Sequence, residues 1–256
     1  MAKVVSIHSF RGGTGKSNLT ANLAAQLARK GHRVGVIDTD IQSPGIHVIF
    51  ALKPAAVTLA LNDFLWGRCR VEEAAYDVTA AAVGRIEEAQ DRPRLFLIPS
   101  SVSTGEIARI LREGYDIGRL NDGMQELIRT LRLDYLLIDT HPGVNEETLL
   151  SIAVSDLLLL VMRPDHQDFQ GTAVTAQLAR QLGVRDMQIV LNKVPEEMDR
   201  EALRRQVEDG YRAPVVAMLP LCTQMAQLAS SGLFSLRYPD HPLTQGLHLV
   251  LERVTA

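Results

Sequence analysis

Cysteine is scarce in this chain of 256 residues: Cys69 and Cys222 stand far apart, with no C-x-x-C pair and no zinc-ligand spacing. A disulfide-stapled scaffold and a zinc finger are therefore excluded, and a reducing compartment is the natural setting. Long apolar runs are missing too. The longest, residues 149–162, falls short of a bilayer span and carries Asp156. The amino end passes from Met1 straight into a strand-like run without the layout of a signal peptide, so the expected location is the cytoplasm. Nor does one sign of charge dominate. With 27 Lys and Arg against 30 Asp and Glu, the net charge is −3, which argues against a globally basic nucleic-acid binder and leaves a local basic patch open.

What is present is globular. Hydrophobic residues at 46% and charged residues at 22% exclude disorder and a coiled coil. A chain of this length buries roughly three quarters of its unfolded surface. Aliphatic, β-branched runs recur at residues 4–8, 34–38, 95–98, 135–139, 157–162, 188–192 and 215–219, each followed by a longer segment of helical period. Continuous apolar strands alternating with helices indicate a doubly wound α/β fold, a mostly parallel sheet with helices on both faces. The first helix shows Leu19, Leu23 and Leu27 at i, i+4, i+8 and stops at Lys30-Gly31. Later helices are expected at 105–113, 117–130, 145–154, 169–182, 200–209 and 223–230. Residues 53–94 are less regular, with helices expected at 58–66 and near 71–76 and a turn-rich stretch at 87–94. They read as an insertion over one sheet edge of a single domain spanning 1–256, since no repeat or long linker marks a boundary.

The chemistry concentrates after the first strand, in Phe10-Arg11-Gly12-Gly13-Thr14-Gly15-Lys16-Ser17, which opens the alanine-rich helix. Gly12, Gly13 and Gly15 let the backbone curl so that its N–H groups converge at the positive end of the helix dipole, where a polyphosphate is stabilised. Lys16 is expected to reach the β- and γ-phosphates and Ser17 to ligate Mg²⁺, with Thr14 and Asn18 counted among the nucleotide contacts. The strict G-x-x-x-x-G-K-[ST] template fails at one place, because its first glycine is Phe10. Asp139 closes an apolar strand, so its carboxylate emerges beside the loop at the sheet edge where ligands bind, placed to hold Mg²⁺ through water. Asp38 and Asp40, two apart at the end of a neighbouring strand, share a face at different depths; capping and loop solvation are their alternatives.

This loop resembles that of the MinD/ParA family of deviant Walker A ATPases, which reads K-G-G-x-G-K-[ST]. Four further blocks carry the resemblance through most of the chain. Val36-Ile37-Asp38-Thr39-Asp40 resembles the family's second-strand D-x-D, and Asp139-Thr140-His141-Pro142-Gly143 its Walker B and switch II. Leu191-Asn192-Lys193 is similar to its adenine-contacting strand end, and Leu219-Pro220 to its second base-side loop. The resemblance implies a P-loop NTPase fold, ATP or ADP with Mg²⁺, metal ligation by Ser17, Asp38 and Asp139, an attacking water oriented by Asp40, and base contacts from Asn192 and Pro220. It further implies an ATP-bound homodimer, slow hydrolysis stimulated by a protein partner, and release from a surface such as the nucleoid.

Two positions depart from the pattern. Arg11 stands where the family carries the lysine that reaches the partner's phosphates; a contact in trans, a salt bridge in cis and solvent exposure are all open. His141 occupies a place where relatives carry proline or a small residue, and either senses the phosphate or pH or bonds a neighbouring backbone. Residues 245–256 have one arginine, offset by Glu252, and no aromatic residue, so a packed last helix is expected rather than a membrane anchor. Nonspecific DNA is a candidate ligand for Arg109, Arg112, Arg119, Arg129 and Arg132 or for Arg200, Arg204, Arg205 and Arg212. The interleaved Glu201 and Glu208 also fit a solvated, salt-bridged face. A switch that docks a protein partner without DNA or membrane is the second reading. A metal-delivery ATPase is disfavoured, because such relatives use cysteine pairs at a dimer interface and Cys69 and Cys222 offer no such pair; Ser155, Cys69 and Trp66 have no constellation around them and are expected to pack or cap.

Overall fold

The computed structural model describes residues 2–83 and 94–256. Eight strands form one sheet: β1 (Lys3–His8), β2 (Arg33–Asp38), β3 (Tyr76–Asp77), β4 (Arg94–Ile98), β5 (Tyr135–Asp139), β6 (Leu157–Met162), β7 (Met187–Val194) and β8 (Val215–Pro220). Their order is β3-β4-β2-β5-β1-β6-β7-β8, parallel throughout except for β3, which pairs antiparallel with β4 at the edge. All six residues of β6 are buried, as strands covered on both faces require. Connections run outward in opposite directions from β1, between β5 and β6. That reversal opens a crevice at the carboxyl ends of the central strands.

Helices cover both faces: α1 (Lys16–Arg29), α2 (Ile46–Ile49), α3 (Leu61–Leu65), α4 (Thr79–Val83), α5 (Thr104–Glu113), α6 (Ile117–Thr130), α7 (Glu146–Ala153), α8 (His166–Gln181), α9 (Arg200–Tyr211), α10 (Thr223–Leu228), α11 (Phe234–Arg237) and α12 (Pro242–Thr255). Leu19, Leu23 and Leu27 of α1 are all buried, the stripe that the i, i+4, i+8 spacing anticipates. Truncating Leu23 to alanine in such a core costs about 2–5 kcal/mol. Helix α12 buries Leu247, Val250, Leu251 and Val254, and a Cβ on its Gly246 would lie 2.6 Å from the Leu219 side chain. The carboxyl end is thus a packed helix lying against β8.

The less regular segment differs in detail from its sequence pattern. The helix expected at 58–66 is only the five residues of α3, because Tyr76 Oη takes the N–H groups of Thr58 and Leu59 and holds that stretch in a bend ahead of the helix. Near 71–76 stand a short 3-10 turn, Val71–Ala74, and then β3, which extends the sheet. The turn-rich stretch at 87–94 lies, apart from Arg94, outside the described residues. Helix α8 begins three residues earlier than expected, where Asp165 caps the N–H of Asp168. Helix α10 stops at Leu228 because Ala229 and Ser230 adopt left-handed backbone angles.

Candidate nucleotide-binding site

The loop from β1 enters α1 through Gly15 at φ 97°, and a Cβ there would lie 2.5 Å from the Asn192 amide nitrogen. Conformation and close approach both demand glycine. Helices α6, α7, α8 and α9 are capped by the side chains of Asp116, Asn145, Asp165 and Asp199, whereas α1 has no side-chain cap. Its amino end opens into a cavity of about 550 Å³ lined by Gly12, Gly13, Gly15, Lys16, Ser17, Asn18, Asp40, Asn192 and Pro220. Uncapped N–H groups at the positive end of a helix dipole suit a phosphate. Nine of the expected contacts thus meet in one space. Thr14 lies buried within the loop, outside that lining.

The end of β7 braces the loop from outside. Asn192 Nδ2 donates to the Thr14 carbonyl at 2.7 Å, and Lys193 Nζ donates to the Gly13 carbonyl at 2.8 Å. Lys193 achieves this from φ 57°, an unusual angle for a side chain of its size. Its bracing role is not readable from Leu191-Asn192-Lys193, because the carbonyl it bonds lies 180 positions away. Phe10, the residue that breaks the glycine template, packs on Gly171 of α8; a Cβ at Gly171 would fall 2.0 Å from its ring. Packing between loop and α8 therefore replaces the missing glycine, a contact that no local sequence signal announces.

On the opposite side lie the acids. Asp38 and Asp139 are register partners on β2 and β5, both fully buried, and Lys16 is only 7% exposed. Burial, then the charges of Asp139 and Asp40, push the Asp38 carboxyl well above the usual range. Asp139 is pushed up to about 6 by burial, against the pull of Lys16. Burial lowers the Lys16 ammonium, and the three carboxylates oppose that shift. Asp38 Oδ1 accepts the Asp40 N–H at 3.0 Å, but among the described residues its buried Oδ2 has no partner. An unpaired buried carboxylate oxygen beside a second carboxylate calls for a cation. Among the described residues no group of three or more His, Cys, Asp and Glu is disposed to hold a metal.

Two histidines flank this cluster. His8 is fully buried with Nδ1 2.7 Å from the Thr140 hydroxyl. That hydroxyl donates to the Ile7 carbonyl at 3.0 Å, so the imidazole must be the donor to Thr140. Burial, then the charges of Lys16 and His141, lower its pKa to about 3. Of the two roles open to His141 in the sequence, the bond to a backbone group is not found among the described residues. Its Nδ1 donates to Asp40 Oδ1 at 2.6 Å. Arg11 points the other way, its Nη1 3.7 Å from Asp165 and 3.8 Å from Asp168. In the free protomer it sits in cis beside two carboxylates, outside the cavity lining.

Leu221, Cys222, Met225 and Leu243 extend the cavity past Pro220 as an apolar wall suited to a base. On that wall Cys222 Sγ lies 3.3 Å from Gln224 Oε1 and 3.7 Å from His241 Nε2. Trp66 packs, as expected: its indole donates to Glu106 at 3.0 Å and lies under Arg109.

The sequence profile of the CobQ/CobB/MinD/ParA nucleotide binding domain matches residues 5–236. The chain belongs to that family. An uncharacterized ATP-binding protein of Methanocaldococcus jannaschii is 27% identical over 96% of this chain and 85% of its own length. A flagellum site-determining protein of Helicobacter pylori is 32% identical over 64% of this chain and 49% of its own length. The septum site-determining protein MinD of Pyrococcus horikoshii, solved with Mg-ADP, superposes with a TM-score of 0.79 at 21% identity, over 99% of this chain and 96% of that one. It shares the P-loop NTPase fold. Among the described residues no helix is long and apolar enough to cross a membrane.

Proposed function

We propose that this family member is a Mg²⁺-dependent ATPase acting as a dimerisation switch of the MinD/ParA kind. ATP joins two copies, the dimer binds a surface such as the nucleoid, and partner-stimulated hydrolysis releases it, so that a cellular cargo is positioned or partitioned. The observation that carries the reading is the convergence of an uncapped helix end, a buried lysine and Asp40 on one cavity, with Asp38 and Asp139 buried close enough to act on that lysine. Lys16 holds the terminal phosphates and the loop N–H groups their oxygens, while Asn192 and Pro220 face the base. Ser17, Asp38 and Asp139 would hold Mg²⁺, directly or through water, and the ion when bound neutralises charge on the phosphates. Asp40, on the cavity wall, orients the attacking water. Arg11 leaves its cis carboxylates to reach the partner's phosphates. The relatives support this reading, since one is described as ATP-binding and another as site-determining.

Calorimetric titration with Mg-ATP is expected to give saturable heat, and light scattering a doubling of mass with ATP; absence of heat sinks the proposal. Imaging a tagged copy of the wild type and of Asp40→Ala identifies the surface as nucleoid, focus or none.

One observation favours the second reading, a switch that docks a protein without DNA. Most arginines that could form a DNA surface are engaged within the chain. Arg109 pairs with Glu113 at 3.0 Å, Arg129 with Glu126 at 2.6 Å, Arg204 with Glu208 at 3.3 Å and Arg205 with Glu201 at 3.5 Å. Arg200 donates to the Met218 carbonyl, and Arg119 to that of Phe64. Diffuse localisation, together with no salt-sensitive retention on DNA, decides for this alternative.

A further inference from the structure

We infer that His141 is a positioning residue for Asp40 in ATP hydrolysis, an inference that rests on the ATPase reading above. Asp40 follows β2 on an irregular stretch, outside any strand or helix that would set the direction of its side chain. Two donors fix it instead. Asp40 Oδ1 accepts from His141 Nδ1 at 2.6 Å and from the Ser43 N–H at 3.2 Å. Among the described residues its Oδ2 has no protein donor, which leaves that oxygen as the acceptor for a water in the cavity that Asp40 lines. The His141 and Asp40 side chains are 18% and 16% exposed, so bulk water competes weakly for the bond.

The imidazole is itself held on both sides. Before it, the Thr140 N–H and hydroxyl both bond the Ile7 carbonyl, at 3.3 and 3.0 Å. After it, the Gly143 N–H bonds the Ser9 carbonyl at 3.1 Å, and Pro142 lies 4.0 Å from where a Gly12 Cβ would be. The link from β5 to α7 is thus tied to β1 and to the phosphate loop, and His141 carries that frame across to Asp40. Whatever sets the loop around a nucleotide also sets the carboxylate that aims the water. A misplacement of about 1 Å at such a group costs as much as a hundredfold in rate.

The test compares the wild type with His141→Ala and His141→Asn as full chains, reading ATP affinity by calorimetry and steady-state kcat and KM. His141→Ala is expected to lower kcat roughly ten- to a hundredfold with KM and ATP affinity within about twofold of the wild type. Asparagine can place an N–H close to that of Nδ1, so His141→Asn is expected to recover most of the loss. The inference is overturned if His141→Ala keeps kcat within about twofold, if both variants lose kcat equally, or if ATP affinity falls as far as kcat in both. A wild-type chain that binds no ATP brings down the ATPase reading and this inference together. Normal wild-type hydrolysis with an unaffected His141→Ala brings down this inference alone.

Discussion

Lys16 and Arg11 belong to one loop and carry the same charge in opposite surroundings. Lys16 is buried at the start of α1 amid Asp38, Asp40 and Asp139, whose charges offset the cost of its desolvation. Arg11 has a side chain 39% exposed, and its nearest carboxylates, at 3.7 and 3.8 Å, lie beyond good hydrogen-bond reach. Those carboxylates already serve Arg163, which approaches Asp168 to 3.0 Å and Asp165 to 3.3 Å. The contrast teaches that the place of Lys16 is set by the folded protomer, while that of Arg11 is provisional. On the function proposed above, one cation serves a ligand of its own chain and the other is recruited to the partner's.

The largest effect that tests this contrast is the loss of ATP. Removing a buried charge that meets polyphosphate should weaken binding by at least about a hundredfold in Lys16→Ala, read by calorimetry. Binding retained within tenfold would break the comparison at its first term. Next comes Asp40→Ala, in which chemistry should suffer and binding survive. Loss of a group that orients the nucleophile is expected to lower kcat by about 10² to 10⁴ while ATP affinity holds and the dimer persists. Rapid turnover by that variant would remove Asp40 from its proposed role.

How legible these surroundings were in the sequence depended on distance along the chain. The seven longer strands and the long helices could be read because apolar period and strand length are local properties, and residues 10–17 announce a phosphate loop by themselves. Of the two helices expected within residues 53–83, each stands shortened, and the first starts late because the Tyr76 hydroxyl takes the N–H groups of Thr58 and Leu59 about eighteen positions away. The pairing of His141 with Asp40 spans 101 positions and that of Lys193 with Gly13 spans 180. Such contacts follow from strand order, which a single sequence does not display. The burial of Asp38 was half legible, since its carboxylate could be placed at the sheet edge but its unpartnered oxygen could not.

That oxygen gives a prediction of intermediate size. A carboxyl whose folded pKa lies above its unfolded value holds its proton more tightly when folded. The folded state therefore loses stability relative to the unfolded chain as pH rises from about 4 toward the folded pKa. The nucleotide-free protein should accordingly be stabilised by Asp38→Asn, whose amide oxygen can still accept the Asp40 N–H. The gain should be larger at pH 8 than at pH 5, on the order of 1–3 kcal/mol in urea unfolding at the higher pH. Destabilisation at both pH values would mean that the charge is already compensated in the empty protein, and the case for a cation there would weaken.

The smallest effect on folding falls on Arg11, and it sharpens the contrast most. An ion pair this exposed and this long contributes less than about 1 kcal/mol, so Arg11→Ala should unfold close to the wild type. Its ATP affinity as a monomer should hold as well, because Arg11 lies outside the cavity lining. Dimerisation with ATP is where the loss should appear, as a failure of mass to double in light scattering. Asp165→Asn approaches the same point from the other side. Asparagine can still cap the Asp168 N–H, now bonded at 3.0 Å, so α8 should keep its start, while half of the charge that holds Arg11 in cis is gone. Less free energy is then needed to swing the guanidinium toward a partner, and the ATP concentration at half-maximal dimerisation should fall by about two- to fivefold, as a coupling below 1 kcal/mol implies. If Arg11→Ala dimerises normally and Asp165→Asn shifts nothing, then the cis pairing is its permanent place, and the difference between the two cations is one of exposure and not of function.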